Sequence, residues 1–180
     1  MATRNPLLDP SSLDELLLFR LTRLLAVAGA PVLRLCEGQF NITRREWRLI
    51  AALAQRGPML SSALADHIHL ERGRTSKAVT DLVEKGLVIR THRPGDRRKA
   101  DLALTEAARS IYEELFPEVV QLNRALLVGF SNAEVDALDG LLTRLQQRAD
   151  TNLATATLPK ANRKRGRQSV LSSPKKAAHS

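Results

Sequence analysis

The chain has a single cysteine, Cys36, among its 180 residues, which excludes an intrachain disulfide and fits a reducing cytoplasm. It also lacks any apolar run approaching the ~18 residues of a membrane span, and Asp9, Pro10, Asp14 and Glu15 stand where a secretory signal needs an uninterrupted apolar stretch. A soluble, cytoplasmic protein is expected. There is no Gly-rich phosphate loop, no nucleophile elbow and no pair of carboxylates set apart from lysines and arginines, so neither catalysis nor a cofactor is expected. His67, His69 and Glu71 alternate along the chain, which on a helix spreads them around the axis, so no metal site is expected.

What is present in excess is positive charge. The formal net charge is +9, with 43% hydrophobic residues: an ordinary core together with a preference for a polyanion, either nucleic acid or an anionic membrane surface. Seven of those charges lie in residues 151–180, which contain no acid, leaving +2 for residues 1–150. That terminal stretch is rich in Thr, Asn, Ala, Lys, Arg, Ser and Pro and nearly free of large apolar residues, so it is expected to be a disordered basic tail. Residues 1–11, with Pro6 and Pro10, are expected to be disordered as well.

Between these ends the apolar pattern is helical. Ser12 and Glu15 stand at capping-box spacing before a stripe of Leu13, Leu17, Leu21, Leu24, Leu25 and Ala28. Gly29, Ala30 and Pro31 then predict a kink or break, because proline removes a helical hydrogen bond. Thr43 and Glu46 repeat the capping spacing ahead of Trp47, Ile50 and Ala54, and Gly57 with Pro58 ends that helix. Ser61 or Ser62 is expected to cap a short helix with Ala63, Leu64 and Ile68 inward. Thr105 caps a long helix whose Ile111, Leu115, Val119, Leu122, Leu126 and Phe130 keep phase across Pro117, and Ser131 with Glu134 opens a last helix with Val135, Leu138, Leu142 and Leu145.

The stretch from Leu70 to Thr105 organises the rest. Ala78, Val79, Leu82 and Val83 define one buried face of a helix, leaving Arg74, Thr75 or Ser76, and Lys77 on the other. Gly86 supplies the C-cap, an extended run follows from Leu87 to Arg93, Pro94 and Gly95 turn the chain, and Ala100 to Leu104 returns with Leu102 and Leu104 on one face. Residues 90–99 carry five Lys/Arg (Arg90, Arg93, Arg97, Arg98, Lys99) against one acid, Asp96. A basic helix followed by a basic hairpin suits duplex DNA, whose major groove, about 12 Å wide, admits a helix while a hairpin places arginine in the minor groove beside it.

This stretch resembles the winged helix-turn-helix of the MarR family of bacterial transcription regulators. The family's wing signature, D-x-R, five residues, then L-T, is matched by Asp96, Arg98, Leu104 and Thr105, and the resemblance extends from about Leu13 to Asp150. It implies a mainly α fold with a two- or three-stranded β wing and a helical dimerisation domain: residues 12–150 as the folded domain, with 12–37 and 105–150 as dimerisation helices and 43–104 as the winged module. It also implies a homodimer on a pseudo-palindromic operator, associated with the nucleoid when bound to DNA and acting as a repressor released by a small aromatic or phenolic ligand.

The DNA contacts expected on this reading are Arg74, Thr75, Ser76 and Lys77 in the major groove and Arg98 in the minor groove with Asp96 orienting the wing arginines. Arg72, Arg97, Lys99 and Ser61 or Ser62 are expected on phosphates. Arg163, Lys164, Arg165 and Arg167 of the tail would add phosphate or minor-groove contacts, Lys164-Arg165-Gly166-Arg167 resembling the core of an AT-hook without its flanking prolines. Arg20, Arg23, Trp47 and Arg48 are candidates for pairing an effector's carboxylate and stacking its ring. Two other readings stay open: a redox-sensing repressor acting through Cys36, and an architectural protein indifferent to DNA sequence.

Overall fold

The computed structural model describes residues 4–93 and 96–157, with the backbone alone for Arg72, Arg93 and residues 96–99. In chain order the elements are α1 (Leu17–Ala28), α2 (Ala30–Gln39), α3 (Arg44–Arg56), β1 (Met59–Leu60), α4 (Ser61–His67), α5 (Arg72–Glu84), β2 (Val88–Arg93), β3 (Asp96–Leu104), α6 (Glu106–Leu126) and α7 (Asn132–Thr155). The class is the one expected: mainly helical, with one small antiparallel sheet in the order β1-β3-β2. The described residues divide into two units that part between Gly129 and Phe130. Among the described residues no helix is long and apolar enough to cross a membrane.

The first helix does not begin where its capping spacing points. Ser12 makes no side-chain cap, a 3-10 turn occupies Leu13–Glu15, and α1 starts at Leu17. The Glu15 carboxylate instead accepts from the Ser11 amide at 2.6 Å and pairs with Arg4. The Ser11 amide is the main reason that this carboxyl is held below its usual range. Just before it, the Asp9 amide closes a turn on the Asn5 carbonyl at 3.0 Å. The break expected at Gly29–Pro31 is present, α1 ending at Ala28 and α2 beginning at Ala30 with Pro31 in its first turn, where the missing amide costs no hydrogen bond.

Helix α3 opens with the expected capping box: Thr43 Oγ1 accepts from the Glu46 amide at 3.1 Å, and Glu46 accepts from the Thr43 amide at 2.6 Å. Glu46 is only 2% exposed, so its charge needs a partner. Lys85, just past the end of α5, supplies one at 2.9 Å and also donates to the Asn41 carbonyl. Around this junction the core gathers Leu49, Ile50 and Leu53 of α3, Leu64 of α4, Val79 and Leu82 of α5, Val88 of β2, Leu102 of β3 and Leu115 of α6. Trp47 is stacked on Tyr112, and Tyr112 on Phe116, with centroid spacings of 5.8 and 5.2 Å. This aromatic column fastens α3 to α6.

Short helix α4 corrects two expectations. It starts at Ser61 after an uncapped Leu60, so neither Ser61 nor Ser62 caps it. Its buried residues are Leu64, Ala65 and Ile68, while Ala63 is exposed. The reason is β1: pairing Met59 with Leu102 and Leu60 with Asp101 fixes the chain immediately before α4 and sets which face turns inward.

Thr105 caps α6, accepting from the Ala108 amide at 3.3 Å, and the helix runs on through Pro117. In the second unit, α7 opens on the expected Ser131–Glu134 capping box and continues to Thr155, five residues beyond the expected boundary at Asp150. The remainder of the expected tail, residues 158–180, lies outside the described residues. Neither α1 nor α7 buries a residue. Leu18, Leu24 and Leu25 of α1 and Leu138, Leu141, Leu142 and Leu145 of α7 are all exposed.

Replacing Lys85 by methionine strands the Glu46 carboxylate in the core with only the Thr43 amide. It is expected to lower the unfolding free energy by about 2 kcal/mol, on the low side for a buried pair because Lys85 itself is partly exposed. The double variant Glu46→Gln/Lys85→Met should regain part of that loss. Urea unfolding reads both, and a single variant as stable as the parent would remove the pair from the account.

Candidate nucleic-acid interface

Helix α5 has no side-chain cap at Glu71, and its orientation is set by burial. Ala78, Val79 and Leu82 point into the core, so Arg74, Ser76, Lys77 and Thr80, on other sides of the helix, are exposed. Thr75 is the correction. It stands three residues before Ala78 and four before Val79, hence on the buried stripe, and it is 0% exposed, its Oγ1 donating to the Glu71 carbonyl at 3.2 Å. It supports the helix from within and has no access to a groove. Thr80, one turn beyond Ser76, is the outward hydroxyl that sequence reasoning passed over.

Two exposed pairs along this helix, Arg74 with Glu71 and Lys77 with Asp81, are each separated by 3.5 Å. Exposed pairs at this spacing contribute only a few tenths of a kcal/mol, so either cation can turn to a phosphate at little cost.

The wing reaches the same surface by period-two geometry. Val88, Arg90 and His92 share one face of β2, opposite Leu104, Leu102 and Ala100 of β3. Val88 and Leu102 are buried whereas Arg90 and His92 are exposed, so that face turns from apolar to polar as the strand leaves the core. Arg90 donates to Thr80 Oγ1 at 3.2 Å, and Thr80 donates to the Ser76 carbonyl at 3.1 Å, fastening wing to helix. Ser61, Ser62, Ser76, Arg90 and His92 consequently surround one hollow of about 410 Å³. Sequence reasoning missed Arg90 and His92 as site residues, although alternation from the buried Val88 was a signal that could have found them.

Farther out, His92 pairs with Ala100 but Arg93 with Asp96, a register irregularity that leaves residues 97–99 of β3 between the two pairs. Such a bulge bends and twists the strand. Asp96, Arg97, Arg98 and Lys99 thus lie on the β3 backbone at the wing's outer end, their side chains outside the described residues, as is that of Arg72 in the first turn of α5. Pro94, Gly95 and the tail residues Arg163, Lys164, Arg165 and Arg167 are also outside them.

The four residues considered for an effector are not brought together. Arg20 and Arg23 lie on α1 beside a hollow with Leu24 and Val27, where Arg23 is engaged by Asp14 at 2.7 Å and lies over the Phe19 ring. Trp47 is 6% exposed and committed to the aromatic column. Arg48 belongs to a different hollow, with Arg44 and Arg45. Cys36 is wholly buried, and that burial pushes its thiol above the ordinary value.

A model of the MarR family matches residues 40–99, the span from the α2 end into β3 of the wing. The chain is 31% identical over 112 residues to the HTH-type transcriptional regulator FarR of Neisseria gonorrhoeae, covering 62% of this chain and 77% of the relative. A MarR/EmrR family transcriptional regulator from Acinetobacter sp. ADP1 has the same fold, with a TM-score of 0.71, 24% identity and coverage of 78% of this chain and 99% of that one. BpsR of Bordetella bronchiseptica, whose DNA binding is regulated by 6-hydroxynicotinic acid, superposes with a TM-score of 0.59 at 22% identity, over 71% and 98% of the two chains.

The raised Cys36 thiol has a consequence of defined sign. The folded chain keeps its proton above the unfolded value of about 8.5, so this residue leaves stability unchanged at lower pH and subtracts from it as pH rises past that point. Urea unfolding between about pH 8 and 10 should show a downward slope that flattens in Cys36→Ala; identical slopes would mean that the thiol ionises as freely inside the fold as outside it.

Proposed function

Because the chain belongs to the MarR family of transcriptional regulators, we propose that it works as a homodimeric repressor that binds a pseudo-palindromic operator and is released by a small aromatic acid or phenol. The protein is a transcriptional regulator and not an enzyme. The observation that carries the DNA-binding mode is the hollow that brings Ser76 of α5 together with Arg90 and His92 of the wing and Ser61 and Ser62 of α4, with Thr80 bonded to Arg90 and with Arg74 and Lys77 exposed on the same helix. Arg74, Ser76, Lys77 and Thr80 address base edges in the major groove. Ser61, Ser62, Arg90 and His92 hold the backbone phosphates beside it, and Arg98, flanked by Asp96, Arg97 and Lys99, enters the minor groove. Arg72 and the basic tail add phosphate contacts.

Dimerisation is supported by the exposed leucines of α1 and α7, which a second copy would cover. Half-sites one helical turn apart, about 34 Å, then match two reading heads. Regulation by a small acid is supported by the BpsR likeness. The redox reading has less support, since a buried thiol with a raised pKa is a poor source of the reactive thiolate. Work in the cytoplasm, on the nucleoid when bound, follows from the same reading.

Selection of bound genomic fragments should return inverted repeats bound about 10³-fold more tightly than random duplex; equal affinity for both would favour an architectural role. Arg98→Ala should lose operator affinity while retaining its fold and the mass of a dimer in solution. Arg90→Ala should weaken operator and random DNA alike and reduce the slope of log K against log salt by about 0.9 for the lost phosphate.

A further inference from the structure

A helix carries positive partial charge at its N-terminus and negative at its C-terminus, so acids suit its first turn and bases its last. Two helices packed around α5 obey this order. Helix α3 has Glu46 in its first turn and Arg56 in its last, and α6 has Glu106 and Arg124 at the same two ends. Helix α5 is reversed: Arg72 and Arg74 open it with no acid in the first turn, and Asp81 and Glu84 close it with no base in the last. Glu71, at the N-cap, is met by Arg74 at 3.5 Å, and Lys85, at the C-cap, is turned to Glu46 and the Asn41 carbonyl.

Burial does not impose this order. Gly73, Lys77, Thr80 and Glu84 follow at spacings of four, three and four, which puts them in one row on the side of α5 opposite Thr75, Ala78, Val79 and Leu82. Asp81 flanks the row and faces Lys77 at 3.5 Å, whereas Glu84 is exposed and takes part in no ion pair among the described residues. An unpaired acid at the negative end of a helix works against the stability of the fold, so its reason lies outside the fold. Duplex DNA supplies one. The 13 residues of α5 span about 20 Å, more than the roughly 12 Å width of the major groove, and a recognition helix reads base edges with its N-terminal residues. Cations occupy the end that enters, and acids occupy the end that stays out.

We propose that Glu84, with Asp81 beside it, determines specificity by repulsion: it opposes every pose on duplex DNA except the one in which α5 enters the groove by its N-terminal half. The inference rests on the DNA-binding reading above and concerns residues that reading leaves without a role. On random sequence no base contact holds Arg74, Ser76 and Lys77 in register, and the helix samples tilts and displacements that bring its last turn against a phosphate. Each such approach sets Glu84 against a like charge. On the operator the base contacts fix the helix and its last turn stays clear. Discrimination is a difference between two affinities, and an acid that penalises the wrong complex widens it without adding a contact to the right one.

The test measures binding of the full chain to its selected operator and to a scrambled duplex of equal length, at about 0.15 M salt, where charges still act over about 8 Å. Glu84→Gln should bind the scrambled duplex about threefold more tightly and the operator as the parent does. Glu84→Lys should tighten scrambled binding about tenfold, twice the effect on a logarithmic scale. Glu113→Gln, which removes an equal charge from the exposed side of α6, should change neither affinity. Both Glu84 variants should melt no lower than the parent, because the acid no longer opposes the helix dipole. Equal tightening on both duplexes, no tightening on either, the same gain in Glu113→Gln, or a lower melting temperature overturns the inference. A parent chain that binds both duplexes alike overturns the repressor reading and this inference together, whereas a discriminating parent whose ratio survives Glu84→Lys overturns this inference alone.

Discussion

The contact between Lys85 and the buried Glu46 is where the parts of the winged module are joined. Glu46 closes the N-terminus of α3 through the Thr43 amide, and Lys85 brings the end of α5 to the same carboxylate and to the Asn41 carbonyl. One residue later Gly86 takes φ 68°, and its carbonyl and that of Leu87 accept from Thr105 Oγ1, the side chain that also caps α6. Helix α3, the reading helix, the wing and α6 thus meet within a few residues. A carboxylate buried to this degree is stabilising only while its partners are present, so the geometry of the junction is enforced by the cost of disturbing it.

From that junction the DNA-facing surface follows as a remainder. Helix α5 must bury Ala78, Val79 and Leu82, which sends Thr75 inward with them and leaves Ser76 and Thr80 outside. The wing obeys the same arithmetic with a different period: once Val88 is in the core, Arg90 and His92 are carried along its face toward α5. The Arg90–Thr80 bond then ties two elements whose polar residues were selected by what lay behind them. Burial on the inner side is what aligns the cations on the outer side.

Arg48 spans from α3 to the Ile68 carbonyl and so ties α3 to the turn before α5. The reading helix is held firmly at its far end by Lys85 and more lightly at its near end, where α5 has no side-chain cap and the preceding turn contains a left-handed histidine.

Local chemistry was legible in the sequence wherever a signal and its partner lie within one turn. The capping boxes of Thr43 with Glu46 and Ser131 with Glu134, the Thr105 cap, the left-handed Gly86 and the break before Pro31 are all of this kind. The wing signature and the apolar stripe of α5 identified the module and its family for the same reason. Ser12 was misleading because its nominal partner Glu15 is claimed by Ser11 and Arg4, and β1 was invisible because two residues carry no period. Only the tertiary structure could decide that Thr75 is inside, that Arg90 and His92 join the serines of α4 and α5, and that Arg48 parts company with Arg20, Arg23 and Trp47. Those choices depend on which surfaces separate elements hide from water when they pack, and no window along the chain contains both sides of such a contact.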